Sequence, residues 1–438
     1  MLRLMLAITI VLLPNLLYLP GTGVPGLNSA NILLLVLLTV LAFSRPFQGP
    51  QMERGILTAP LLFWFFALTV SMLIAWVRMP INAMDDIVHL KNIIFYPLLY
   101  FVFRNCRQDM KGTRMLIYLV LVVAVIAGID AAKDGLTFDI TSYSEEQRTA
   151  GPFGEINASN RAGVFYASFL PMLAAIVLFL RGHVAWRIAA GIGVAILLFA
   201  IMVTFSRQSY LIALIVLTML VLRRHTALAV LVIALAIPAF QFLPPSVVDR
   251  VASTQQYDAV GSAQLDSSTE SRFKLWAGAW KMWKDHPAGI GLKRFPATIG
   301  DYSEYENKDA HSAYVLTLAE MGVLGIVALL WLLWRLLRLA FSVRASGDDP
   351  IGETRTLGTG FIVAVIAMSL GNVYGSPFLD GLVMGNFWVL CGLLERYAML
   401  RRHASPAVVG PSVDEWIGAR FPLAGRVLPG RFQHTSSP

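Results

Sequence analysis

Long apolar runs recur from the start of the chain to beyond residue 390, and each must satisfy its own backbone hydrogen bonds if it is to cross hydrocarbon. About 30 Å of bilayer core takes roughly 20 helical residues to span. Runs of that kind fall near residues 4–19, 29–44, 56–77, 88–103, 115–130, 161–180, 186–205, 208–222, 226–243, 312–337, 357–374 and 381–399. Weak alternation and abundant Leu, Ala, Val and Gly select helices over a barrel. The predicted fold class is an all-α polytopic membrane protein of about twelve transmembrane helices. Residues 1–243 hold helices 1–9, 244–311 form a large loop, 312–403 hold helices 10–12, and 404–438 form a Pro-, Gly- and Ser-rich tail. The first run is read as a retained helix, because no clean small-x-small cleavage site follows it.

A net charge of +8 would suit nucleic acid in a soluble protein, but 56% hydrophobic against 14% charged residues leaves no basic soluble domain. No nucleic acid is expected, and the charge reports topology instead. One set of alternate connections carries Arg45, Arg54, Arg104, Arg107, Lys111, Arg114, Arg181, Arg187, Arg223, Arg224, Arg335, Arg338, Arg344, Arg401 and Arg402. The other set, such as GTGVPGLNS and GNVYGSPFLDG, is poor in basic residues. The positive-inside rule makes the first set cytoplasmic, both termini with it, and puts the long connections 131–160 and 244–311 on the outer face. Cys106 and Cys391 suggest neither a disulfide nor a metal site.

Four basic residues stand on that outer face where the chain turns back into the membrane: Arg161, Arg207, Arg272 and His311. Helix N-termini favour anions, and an arginine in the same turn adds a planar fork for phosphate oxygens. Ser159 or Asn160, Ser206 and Asp309 are the expected N-caps of three of these helices. Snorkelling to headgroups is the competing reading for each arginine alone, least so for Arg207 in its tight connection Thr204 to Tyr210. Ser267-Ser-Thr-Glu270 is a capping-box pattern opening an amphipathic helix over 270–284. Phe273, Trp276, Trp280 and Trp283 share one face of it, Lys274 and Lys281 the opposite one, as for a helix at the membrane interface. In HPAGIGLKRF, Gly289 and Gly291 mark a turn that can approach a ligand closely. Asp301, Glu304, Glu306 and Asp309, like Asp85 and Asp86, read either as solvated carboxylates or as cation ligands. No D-x-D, Walker A, H-E-x-x-H or G-x-S-x-G motif occurs.

The ordered segments TFSRQSYL, ESRFKLWAGAW, HPAGIGLKRF and AHSAYVLTLAEMGVLG, between Asn157 and Gly325, resemble the O-antigen ligase and polymerase superfamily of bacterial inner-membrane glycosyltransferases. The resemblance implies about twelve helices around a periplasmic cavity, as in GT-C type enzymes. It also implies a donor, O-antigen on undecaprenyl diphosphate, with lipid A-core oligosaccharide as acceptor in ligases, no cofactor and no required metal. Carried over to matching positions, His311 is the essential loop histidine, and Arg272 and Arg207 are the catalytic arginines. Arg161 matches less closely and joins them in substrate binding. The Trp face, with Trp276 and Trp280, is expected to close over the lipid-borne substrate. The expected activity is inverting, metal-independent transfer. A polysaccharide polymerase, a protein O-oligosaccharyltransferase and a flippase of lipid-linked sugars remain the alternatives.

Overall fold

A computed structural model describes residues 1–16, 29–43, 54–139, 144–154, 156–224, 226, 244–252, 255–257, 263–265, 267–347 and 350–404. The expected ninth span, 226–243, lies outside the described residues apart from residue 226, as does the tail from 405. In chain order the α-helices are α1 Leu2–Leu12, α2 Ser29–Phe43, α3 Thr58–Arg78, α4 Ala83–Arg104, α5 Met110–Gly135, α6 Ser159–Phe179, α7 Val184–Val203 and α8 Arg207–Leu222. They continue with α9 Pro245–Ala252, α10 Ser267–Asp285, α11 Phe295–Thr298, α12 Ala313–Arg344, α13 Glu353–Gly371 and α14 Gly381–Ala404. The strands among the described residues are one short antiparallel pair, β1 Gln255–Tyr257 with β2 Ala263–Leu265.

Among the described residues, seven helices are long and apolar enough to cross a membrane: Thr58–Arg78, Ala83–Arg104, Met110–Gly135, Ile156–Phe179, Val184–Val203, Ala313–Arg344 and Glu353–Gly371. The chain is therefore a multi-pass membrane protein. Leu2–Leu12, Asn31–Val40 and Arg207–Leu222 are apolar but shorter. α14 is long enough yet too polar to qualify on composition, and it is buried in protein from Val383 to Leu400. A helix so enclosed can carry charge, because the protein rather than lipid supplies the partners. Glu395 accepts hydrogen bonds from the Tyr100 hydroxyl (2.6 Å), Arg104 Nε (3.0 Å) and the Ile56 N–H (2.8 Å). Arg396 donates to the Gln108 and Arg104 carbonyls, while Glu353 gathers Arg114, Tyr118 and Tyr397. This network ties α4, α5, α13 and α14 together at the end of the bundle that holds the basic connections.

At the opposite end, α12 is broken. Gly322 takes φ +61° and ψ −154°, which interrupts the helix two turns after its start. The turn over residues 287–292 docks into the break: the N–H groups of Ile290 and Gly291 donate to the Ala319 and Glu320 carbonyls, Val323 N–H to Pro287, and Leu292 N–H to Ser71 on α3. Gly291, at φ +106°, lies so close to α3 that a Cβ would sit 2.4 Å from Cα of Ala75. Gly289 likewise faces the Glu320 carbonyl. These glycines make room for the protein's own backbone, which corrects the expectation that the turn approaches a ligand. Gly291→Ala is expected to lower the melting temperature in detergent, since the backbone conformation alone costs about 1–3 kcal/mol and the contacting backbone cannot move aside.

Candidate active site

The helix ends opposite the basic network surround a cavity of about 1150 Å³. Its mouth is lined by Arg161, Arg272, Asp309, His311, Tyr374 and Asp380. His89, Asn92 and Tyr96 on α4, with Thr317 and Glu320 on α12, line it deeper within the bundle. Three separate stretches of chain thus bring a histidine and two arginines to one opening.

His311 is held by backbone on both sides. Trp276 on α10 donates its indole N–H to the Ala310 carbonyl at 2.8 Å, and the Ala313 N–H donates to the Asn372 and Gly375 carbonyls. Between these anchors His311 adopts φ +50°, a left-handed conformation uncommon for a residue with a Cβ. Its side chain is 49% exposed, with Nδ1 3.9 Å from the Asp309 carboxylate. Partial burial holds the imidazole below its ordinary range, Asp309 opposes this, and the charges of Arg272 and Lys308 reinforce it. The ring is neutral at neutral pH and able to accept a proton. The helix is capped by Ser312, whose Oγ accepts from the Val315 N–H, and not by Asp309 as expected. Ser312 has the extended backbone that a cap needs, directly before the first helical residue.

Arg161 donates from Nη1 to Asp380 at 2.5 Å, and the second Asp380 oxygen accepts the Leu382 N–H at the start of α14. The expected caps of α6 are also corrected. A 3₁₀ turn over Ile156–Ala158 runs straight into the helix with Ala158 at the cap position, so Ser159 bonds back to Ile156 and Asn160 accepts from Arg148. The Arg272 guanidinium lies 5.6 Å from the Tyr374 ring, and Tyr374 stacks with Trp276. Cation–π contact of this kind holds a guanidinium over the ring face. Arg207 begins α8 and is half-buried, outside the cavity lining. Ser206 does occupy the cap position there, but its hydroxyl takes the Ser209 hydroxyl instead of capping.

Trp276 and Trp280 are not part of the lining either. α10 packs on the protein through Leu275, Ala279 and Met282, whereas Phe273 and Trp280 stay exposed. The stripe packed on protein is therefore offset from the aromatic one, whose Phe273 and Trp280 face outward. Trp276 acts through Ala310 as described, and Trp280 stacks on Trp283 beside Lys284. Glu304 is bound by Lys274 at 2.6 Å, and among the described residues no group of three or more His, Cys, Asp or Glu is gathered.

Asp86 has neither of its expected roles. It is buried, holds Arg294 through both oxygens at 2.9 and 2.5 Å, and accepts the Trp76 indole N–H at 3.1 Å. Arg294 also donates to the Met79 carbonyl, so the turn that enters the α12 break is pinned to α3 and α4. Glu320, in the middle of the segment LAEMG, accepts the Phe295 N–H at the head of α11. Sequence reading passed over Asp380, Glu320 and Tyr374; Arg294 was visible inside HPAGIGLKRF, without a sign of its partner 208 positions away.

Residues 192–330 match the family model described as O-antigen ligase, a stretch that runs from α7 past the break in α12 and includes Arg207, Arg272 and His311. No curated protein matches the chain.

Proposed function

We propose that this chain, whose residues 192–330 carry the O-antigen ligase family match, transfers O-antigen polysaccharide from undecaprenyl diphosphate to lipid A-core oligosaccharide. The observation that carries the reading is one cavity whose mouth gathers a neutral histidine and two arginines at the helix ends away from the basic connections. On this reading the cavity faces the periplasm, the basic end and both termini face the cytoplasm, and the membrane is the bacterial inner membrane.

Transfer proceeds as a single displacement with inversion. The acceptor hydroxyl oxygen attacks the anomeric carbon, the bond from that carbon to the diphosphate oxygen breaks, and the hydroxyl proton passes to His311. Arg272 and Arg161 bind the diphosphate and stabilise the charge that develops on it as it leaves, a task for which fixed guanidinium groups need no divalent cation. Arg207, outside the cavity lining, assists through its charge from the head of α8. Trp276 holds the His311 backbone in place, and Trp280 on the exposed face of α10 rests against the lipid-borne chain.

Arg272→Lys is expected to lower transfer about tenfold to a hundredfold, because charge remains but the fork and the stacked plane are lost. Arg207→Lys is expected to cost less, its side chain lying outside the lining. The rate constant kcat/KM should fall as pH drops through the His311 pKa, because protonation removes the accepting lone pair. That acid limb is expected below the ordinary imidazole value of about 6.5, and Asp309→Asn should move it further down by removing the charge that opposes the lowering. A pH–rate profile of both proteins checks the sign.

The reading is tested with purified protein in detergent, lipid-diphosphate-linked oligosaccharide and lipid A-core, in excess chelator, with acceptor mass followed on a gel. A shifted acceptor band is the expected result. Extension of the donor on itself would make the protein a polymerase, and absence of any transfer would favour a flippase.

A further inference from the structure

His89, Asn92 and Tyr96 stand at i, i+3 and i+7 on α4, a spacing that puts them on one helix face, and all three line the cavity. They lie within a helix apolar and long enough to cross a membrane. Polar side chains at such depth are costly and persist against protein partners, a water-filled space or a ligand. Elsewhere on α4 the partners are protein: Asp86 has Arg294 and Trp76, while Tyr100 and Arg104 have Glu395. Among the described residues, the His89 and Asn92 side chains make no hydrogen bond. The stripe runs about 10 Å down the helix at 1.5 Å per residue.

Thr317 and Glu320 on α12 add polar groups to the same lining. Glu320 is fixed by the Phe295 N–H, and the buried Thr317 hydroxyl has no hydrogen-bond partner. An imidazole, a carboxamide, a phenol, a hydroxyl and a carboxylate offer donors and acceptors together with no cation among them. That set suits an uncharged polyhydroxyl ring, whereas phosphate has its cations at the mouth in Arg161 and Arg272.

We infer that the α4 stripe, with His89 and Asn92 as its specificity-determining residues, is a subsite for a sugar ring of one of the two substrates. The inference rests on the cavity being a glycosyl-transfer site. The ring belongs either to the donor sugar next to the diphosphate or to the acceptor oligosaccharide, and the shared chemistry is hydrogen bonding to hydroxyl groups.

The test is equilibrium binding to the full chain in detergent, with three probes: bare undecaprenyl diphosphate, the same lipid bearing one hexose, and lipid A-core. Asn92→Leu and His89→Leu keep residues that membrane helices accept, and Asn92→Gln and His89→Asn keep a hydrogen-bonding tip as conservative controls. Each leucine variant is expected to weaken binding of one sugar-bearing probe about tenfold, the scale of one lost hydrogen bond, with bare lipid diphosphate unaffected. Weakening with the hexose-bearing lipid assigns the donor ring; weakening with lipid A-core assigns the acceptor. The conservative variants should keep part of the affinity. Unchanged binding of both sugar-bearing probes, or an equal loss for bare lipid diphosphate, would overturn the subsite. Wild-type protein that binds the probes in this pattern yet transfers nothing would instead count against the proposed reaction alone.

Discussion

His311→Ala is expected to lower glycosyl transfer about 10²–10⁴-fold, the range for removing a positioned general base. Donor binding should be nearly unchanged, because the diphosphate contacts belong to Arg272 and Arg161. The fold should survive, since the backbone at residue 311 is fixed by neighbours: Trp276 on the Ala310 carbonyl, and the Ala313 N–H on the Asn372 and Gly375 carbonyls. A Cβ at φ +50° is strained with either side chain, so the substitution leaves that cost in place. His311→Asn, which suits a left-handed backbone better, is expected to fold at least as well and to be equally inactive. Initial rates measured beside donor affinity separate the two effects, and an alanine variant with wild-type turnover would reduce His311 to a structural residue.

Asp86→Ala is expected to destabilise the protein by about 3–5 kcal/mol, the cost of leaving one member of a buried ion pair without its partner. Arg294 is 2% exposed and Asp86 5%, so no solvent reaches the guanidinium that the substitution would strand. The damage should spread along the chain. Arg294 anchors the 287–292 turn whose N–H groups fill the break in α12, and Glu320 of that break lines the cavity. The double variant Asp86→Leu with Arg294→Met is expected to recover much of the loss, because burying neither charge is cheaper than burying one. Thermal unfolding in detergent of the single and double variants measures both. Equal stability of Asp86→Ala and wild type would show that the pair fastens nothing.

Much of this was legible in the sequence because hydrocarbon imposes a simple rule. Length and apolarity gave the membrane class and the positions of Thr58–Arg78, Ser159–Phe179 and Val184–Val203 within a few residues. α14 shows where that rule ends: its charges would be prohibitive against lipid and are ordinary inside a protein shell, and only the three-dimensional arrangement says which applies. At the site, Arg161 and His311 were readable because each follows a loop at the head of an apolar run, and Arg272 because it stands near the start of an amphipathic helix. Their partners were not. Asp380 reaches Arg161 across 219 positions and Asp86 reaches Arg294 across 208, distances over which neither periodicity nor motif spacing carries information. The glycines of HPAGIGLKRF gave a correct signal of close approach. What approaches them, the backbone of α3 and α12, depended on a helix break at Gly322 that hydropathy does not register. On α10 the aromatic pattern drew attention to the outward face, and the smaller stripe of Leu275, Ala279 and Met282 that packs on the protein carried no comparable signal.

On the proposed mechanism the sugar changes hands in the cavity lined by Arg161, Arg272 and His311. The most direct measurement is an experimental structure of the His311→Ala protein with a lipid-diphosphate-linked sugar bound. The diphosphate is expected within hydrogen-bonding distance of Arg272 and Arg161, with the anomeric carbon turned toward position 311 and the first sugar beside His89 or Asn92 if the α4 subsite serves the donor. A diphosphate bound away from both arginines, with the cavity empty, would contradict that mechanism.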